Sequence, residues 1–410
     1  MLGRLIDAAL PPRLGRSFRW LVASSWSTNL GDGLAISAGP LLVASQTDEP
    51  FVVALAAIAQ QLPWVIFGLT AGVIADRYDR RRIMIIVNLV RSLVLGVLAV
   101  AIVLDEVNVA IVLLAMFLLG TTETFVDVTS GTLLPMTVGR EDLVAGNVRL
   151  SFGHTTLNRL VGPPLGAFLF AAGTAWPFVA QGLLMLFGAV LIRRIAFSRA
   201  SDERDEEHPG SIRSGIAEGL RWLWNDPPVR TLTVIILTFN ITFGATLAVF
   251  VLYVERRLGL GPIGFGALEA IGAVGGLLGA VLYARVEQRF GMARLMRIGL
   301  VFETATHVVF ALTTLPIIAM ATLFAFGVHE AVWGTTETTI RQRSVPEQLQ
   351  GRIGSVYMLG LVGGLVVGAV IGGTLAQIWG VTAPYWFAVI GNLAILVAIW
   401  SRVDAIAATR

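Results

Sequence analysis

Asp32 stands about fourteen residues into the first long apolar run, roughly 20 Å along a helix that rises 1.5 Å per residue. Ser25, Asn29 and Asp32 repeat at i, i+4 and i+7, so one helical face carries all three. A carboxylate at that depth has two readings. It is a protonatable or cation-binding group beside a polar cavity, or a buried aspartate satisfied by hydrogen bonds within the bundle. Glu123 and Asp127 form a second pair, at i and i+4 in a later apolar run, with Gly120 on the same face. Two carboxylates so close resist simultaneous ionisation, which suits reversible protonation. Glu123 is expected to take the proton and Asp127 to play a structural part. Glu330 lies at the matching place of a related segment and joins Asp32 and Glu123 as a proton-coupling candidate. Ser25, Asn29, Asp32 and Asn240 are the expected polar lining of a substrate cavity.

Other ionisable residues read more plainly. Glu303 and His307 are spaced i, i+4 and read as a mutually satisfied pair, and Glu337 with Arg341 reads as a salt bridge near an interface. Arg91 and Arg159 are the buried candidates for holding an anion, and Glu269 carries no assignment. No nucleophile–base set stands out, so no enzyme is expected. No metal-ligand spacing and no cofactor motif is seen either. A phosphate-cradling loop would need a strand before it and Lys-Ser/Thr after it. With no cysteine, thiolate chemistry is excluded.

The elements that must hold these groups are set by composition. The 410 residues are 55% hydrophobic and 14% charged, with mean hydropathy +0.77. Soluble chains carry nearer a quarter charged residues, and apolar runs of about twenty residues, each able to cross a ~30 Å hydrocarbon layer, recur along the sequence. The spacing predicts twelve membrane helices: 18–44, 51–74, 83–104, 108–131, 144–171, 176–194, 230–253, 264–284, 295–313, 317–340, 353–378 and 383–401. The first run is too long for a signal-peptide core and is expected to stay as helix 1.

All 30 basic residues are arginine, and their placement is one-sided. Of the connections on one side, only 254–263 holds arginine (Arg256, Arg257). The other side receives Arg77, Arg80, Arg81, Arg82, Arg193, Arg194, Arg285, Arg289, Arg294, Arg297, Arg341, Arg343 and Arg352. Arginine excess marks the cytoplasmic face, so both termini are expected there, with a multi-pass chain in the cell membrane. A net charge of +3 argues no nucleic-acid partner. Residues 1–198 and 230–410 are expected as two six-helix halves. Residues 199–229 should join them as a cytoplasmic linker ending in an amphipathic helix, with Ile212, Ile216, Leu220 and Leu223 at helical spacing.

The halves resemble one another. DRYDRRRIM (76–84) is echoed by QRFGMARLM (288–296), FLLGTTE (117–123) by FAFGVHE (324–330), and Leu-Pro at 134–135 by Val-Pro at 345–346. Paired six-helix repeats are a transporter construction with the substrate site between them near the midplane.

Gly72-Val-Ile-Ala-Asp76-Arg77-Tyr-Asp79-Arg80-Arg81 resembles the loop signature of the major facilitator superfamily, and the likeness runs the length of the chain. It looks most like the bacterial branch that includes macrolide-efflux and enterobactin-exporter proteins. Asp79 stands where that signature usually has glycine. The resemblance implies an all-α membrane protein of twelve helices in two pseudo-symmetric halves. It also implies a gate in which Gly72, Asp76, Arg77, Arg80 and Arg81 act with Asp127, Arg80 pairing with Asp127 and Asp76 meeting the start of helix 11. Gly162, Pro163 and Gly166 resemble the tail of a helix-5 motif that kinks the helix and lets helix 8 approach; the upstream glycines are replaced by Arg149 and Asn158. Many proton-coupled relatives carry an arginine in helix 4, and this chain has none there. The expected function is proton-coupled export of amphipathic small molecules by a monomer, with protons and membrane lipids as further partners. Two alternatives stay open: a facilitator or importer of a polar solute, and a non-transporting membrane sensor or lipid-handling scaffold.

Overall fold

The computed structural model describes residues 12–195, 221, 224–225, 227–345, 350–401 and 403. Among these the regular elements are helices only. The expected linker 199–210 and nearly all of its amphipathic helix lie outside the described residues.

Among the described residues, helices follow one another at the places of the predicted apolar runs. α1 is Gly15–Gln46, α2 Pro50–Arg77, α3 Arg80–Val103 and α4 Val109–Ser130. α5 comprises Leu143–Gly153, His154–Val161 and Gly162–Ala172, and α6 is Trp176–Ile192. α7 joins Pro227–Leu247 to Phe250–Arg256, the two parts bent by 43°. One continuous run, Pro262–Leu312, holds two spans, α8 (262–290) and α9 (292–312), separated at Gly291, whose φ of 72° breaks the helix. α10 is Pro316–Ser344, α11 Gln350–Trp379 and α12 Ala383–Ile399. Six helices are long and apolar enough to cross a membrane unaided, and the bent α7 makes a seventh. The others fall short for visible reasons: α1 carries six serines with Asn29 and Asp32, α5 is broken, α6 and α12 have 17 residues each, and α8 shares a helix with α9.

The helix starts are written in the sequence. α2, α6, α8, α10 and α12 each have proline in the first turn, where its missing N–H would be unsatisfied anyway. Asn108 caps α4, its side chain accepting from the Ile111 amide at 3.1 Å.

Two compact units emerge, Met1–Gln46 with Ile66–His208, and Thr47–Val65 with Pro209–Arg410. The first half of α2 thus belongs to the unit built from the later helices. A Cβ at Gly373 of α11 would meet Ala54 Cβ at 2.5 Å, and Ala54 clusters with Ala248 and Ala369. In the first unit Phe18, Leu21, Val22, Met84, Leu133 and Ile192 form a buried core. In the second, Ile235, Met296, Leu300, Ile340 and Ile395 do the same.

The helices bury small and polar residues and turn large apolar ones outward, the arrangement lipid demands. On α3, Asn88 and Arg91 are buried while Leu93, Val97, Val100 and Val103 are 57–73% exposed. Glycines set the close contacts. A Cβ at Gly275 would fall 2.0 Å from Phe324 O, joining α8 to α10, and one at Gly368 would fall 2.2 Å from Ile241 O, joining α11 to α7.

The two arginines that escape the charge asymmetry are structurally engaged. Arg257 donates to the carbonyls of Thr313 and Leu312 at 3.1 and 3.0 Å, satisfying orphan acceptors at the end of α9. Arg256 donates to Asp48 O at 2.6 Å and lies 3.3 Å from its carboxylate.

Candidate functional site

α1 presents two polar faces. Ser24 and Ser27 donate to Gly188 O and Leu184 O, each at 2.9 Å, and so bind α1 to α6. The other face carries the predicted triplet. Asn29 donates to Ser25 O at 2.8 Å, and its Oδ1 lies 3.0 Å from His154 Nδ1 on α5. One turn on, Asp32 forms an ion pair and hydrogen bond with Arg91 of α3.

Arg91 is the residue that sequence reasoning undervalues. The sequence presents it as an anion site, whereas its partner is the neighbouring Asp32. Its side chain is 2% exposed and that of Asp32 19%. Glu123 and Asp127 also act on it electrostatically. α4 carries no arginine, and Arg91 of α3 pairs with Asp32 within the electrostatic reach of Glu123 and Asp127. The available signal was position: Arg91 and Asn88 lie at i, i+3, on the face of α3 that also buries Met84, Val87, Leu95 and Leu98. Arg91 Nε and Nη1 and both side-chain polar atoms of Asn88 are buried without a protein partner, the pattern left where water or a bound solute completes a network.

Asp127 shares this electrostatic neighbourhood, acting on Arg91 and being acted on by Asp32. The Arg80 guanidinium lies 3.6 Å from the Met136 sulfur. Arg81 donates to the Arg193 carbonyl at the end of α6. Asp79 caps α3, its carboxylate accepting from the Arg81 and Arg82 amides at 2.8 and 3.4 Å. This explains its departure from the family signature: in place of a glycine turn, an acid satisfies the first amides of the helix. Among the described residues, a Cβ at Gly72 would meet nothing within 4 Å. The Asp76 side chain lies outside the described residues.

α5 positions His154. Pro163 and Pro164 supply no amide to the preceding turn, and His154–Val161 winds as a π-helix, closed by the Gly162 amide donating to Leu157 O. Gly162 and Gly166 seat α5 on α1: Cβ atoms there would fall 2.4 Å from Gly33 Cα and 2.3 Å from Leu34 O. Within the first unit, the neighbour these glycines admit is α1.

In the second unit, Asn240 is 8% exposed and donates to Ile236 O at 2.8 Å, spending its amide within its own helix. Glu330 is on the exposed side of α10. Glu337 lies 3.5 Å from Arg341 and accepts from Tyr357 at 2.9 Å, an ion pair as the spacing predicts, extended to α11. The Glu303–His307 pair is present at 3.0 Å, and a third member, His329, approaches the same carboxylate at 3.2 Å.

A bundle of lipid-facing helices with charged groups kept inside describes a polytopic membrane transporter, and comparison with known proteins agrees. Residues 8–408 match the transmembrane secretion effector family, MFS_3, and the chain belongs to it, as a multi-pass transporter of the major facilitator type. The multidrug efflux pump Tap of Mycolicibacterium fortuitum is 25% identical over 89% of this chain and 90% of its own length. Macrolide efflux protein A of Streptococcus pyogenes is 24% identical over 86% and 87%. In structure, the nucleoside transporter NupG superposes with a TM-score of 0.75 at 10% identity, covering 94% of this chain and 99% of that one; the likeness is one of fold.

Proposed function

We propose that this transporter exports amphipathic small molecules (antibiotics, other drugs or a siderophore) in exchange for protons, by alternating access. The efflux names of its relatives support the substrate class and direction. The observation that carries the coupling is Arg91 among Asp32, Glu123 and Asp127. Fully ionised, that group holds one positive and three negative charges, so its surplus is negative and an exchangeable cation relieves it. A proton arriving at Asp32 loosens its hold on Arg91. A cationic or amphipathic substrate competes for the same carboxylates, so proton and drug displace one another. Arg91 is engaged by Asp32, which disfavours an anion carrier.

In this reading Asp32, Glu123 and Glu330 carry protons, Ser25, Asn29, Asp32 and Asn240 line the substrate path, and Gly72, Asp76, Arg77, Arg80, Arg81 and Asp127 work the gate. Both termini lie in the cytoplasm, the side favoured by arginine excess. The protein works as a monomer among membrane lipids.

The test is transport of a compound panel into inverted vesicles with and without a pH gradient. Asp32→Asn and Glu123→Gln are expected to abolish gradient-driven uptake at unchanged expression. Drug-stimulated proton flux that is intact in both variants rejects the assignment.

A further inference from the structure

Glu303 on α9 is shared by two imidazoles. Its Oε1 lies 3.0 Å from His307 Nε2 on the same helix, and its Oε2 lies 3.2 Å from His329 Nε2 on α10. The three side chains are 3, 4 and 8% exposed respectively. With Glu303 ionised and both rings neutral, the cluster would hold a net negative charge away from water, which is costly in a low-dielectric interior. One added proton makes it neutral.

The surroundings say where that proton sits. Three aromatic rings surround His329: Phe302 at 5.2 Å, with Phe326 and Trp333 each at 6.0 Å between centroids. Aromatic faces attract a cation. His307 Nδ1 and His329 Nε2 are both buried without a hydrogen-bond partner, so the aromatic surroundings and access to water are what separate the two rings. Glu303 and His329 also border a small cleft closed by Phe239, Trp333 and Asn392. The cleft offers a water molecule about 10 Å³ of room, the lower limit for holding one, and this gives His329 a route for proton exchange that His307 lacks. We propose that Glu303, His307 and His329 form a second proton-binding site, in the second unit, with the proton carried as an imidazolium on His329.

The groups acting electrostatically on Glu303 are His307 and His329. Arg297 of α9 stacks over Trp400 at 5.5 Å, Arg341 of α10 pairs with Glu337, and Glu330 is on the exposed side of α10. Glu269 of α8 is half-buried, and Tyr385 of α12 lies beside His307 and Tyr253 of α7. Among the described residues no group of three His, Cys, Asp or Glu could hold a metal ion.

The chain has four histidines, so nitrogen-15 NMR of the full-length, histidine-labelled protein in nanodiscs can be assigned by single His→Gln variants. At pH 8, where a free imidazole is almost wholly neutral, the wild type should show one imidazolium, absent from His329→Gln. Glu303→Gln should lower its charged fraction about tenfold or more, and Glu303→Asp should retain it if the Gln variant fails to fold. Two neutral rings at pH 8, a signal that survives His329→Gln, or one indifferent to Glu303→Gln overturns the proposal. Asp32→Asn should leave the signal intact, so the outcome is independent of the coupling assigned to the first unit.

Discussion

Arg91 of α3 is paired with Asp32 of α1, and two of the guanidinium's remaining nitrogens are buried without a protein partner. The pair therefore fixes one helix against another while leaving donors for something that comes and goes. Breaking it from one side strands a buried charge, which costs about 3–5 kcal/mol. Arg91→Met should lower the melting temperature in detergent substantially, and adding Asp32→Asn should recover part of the loss. Equal melting of the single and double variants would remove the pair from the account.

Glycines that look alike in the sequence differ in consequence. Gly166→Ala drives a methyl to 2.3 Å from Leu34 O, whereas Gly72→Ala meets nothing within 4 Å. Overpacking of a close contact costs about 1–3 kcal/mol. Denaturation should therefore show Gly166→Ala destabilised by that order and Gly72→Ala within about 0.5 kcal/mol of wild type. Comparable losses in both would contradict the helix contact described here.

The Asp79 cap sets a graded series. Asp79→Ala should cost about 1 kcal/mol, while Asp79→Gly, which restores the residue usual in the family, should cost only a few tenths. Hydrogen exchange over 80–84 reads the effect locally, with faster exchange of the Arg81 and Arg82 amides in the Ala variant. Unchanged exchange there would mean the cap contributes nothing.

Arg256 and Arg257 are adjacent but unequal. Arg257 holds two carbonyls at the end of α9, and hydrogen bonds from a charged donor are worth about 1.5–3 kcal/mol. The Asp48 side chain opposite Arg256 is fully exposed, and such pairs contribute little. Thermal unfolding should show Arg257→Ala clearly destabilised and Arg256→Ala nearly silent. The reverse order would refute the capping role.

The spans were legible because lipid imposes a length and a polarity on every crossing helix, and each predicted run coincides with an observed helix to within a few residues. The deep carboxylates were legible for the same reason, since their cost makes them conspicuous. Their partners were not. Ser25, Asn29 and Asp32 share a face by spacing alone, but nothing local says that Arg91, about sixty residues on, completes that face, or that His154 meets Asn29 through an irregular turn. His329 was hidden similarly: its neighbour Glu330 stands out through the repeat, while the histidine one position earlier is the one that turns inward. Spacing orders residues on one helix, whereas contacts between helices depend on rotations fixed by glycines such as Gly33 and Gly166.

The π-wound stretch of α5 has a consequence of its own. A wider turn is what a helix adopts when it carries one residue too many for regular winding, so residues 154–161 behave as a length reserve. Deleting a single residue there would let the segment relax to ordinary pitch with little change in the register of the flanking turns. The same deletion in a regular part of α5 would rotate one side of the helix against the other by about 100°, carrying His154 away from Asn29. Chain length can therefore vary within the π-wound stretch without dismantling the contact.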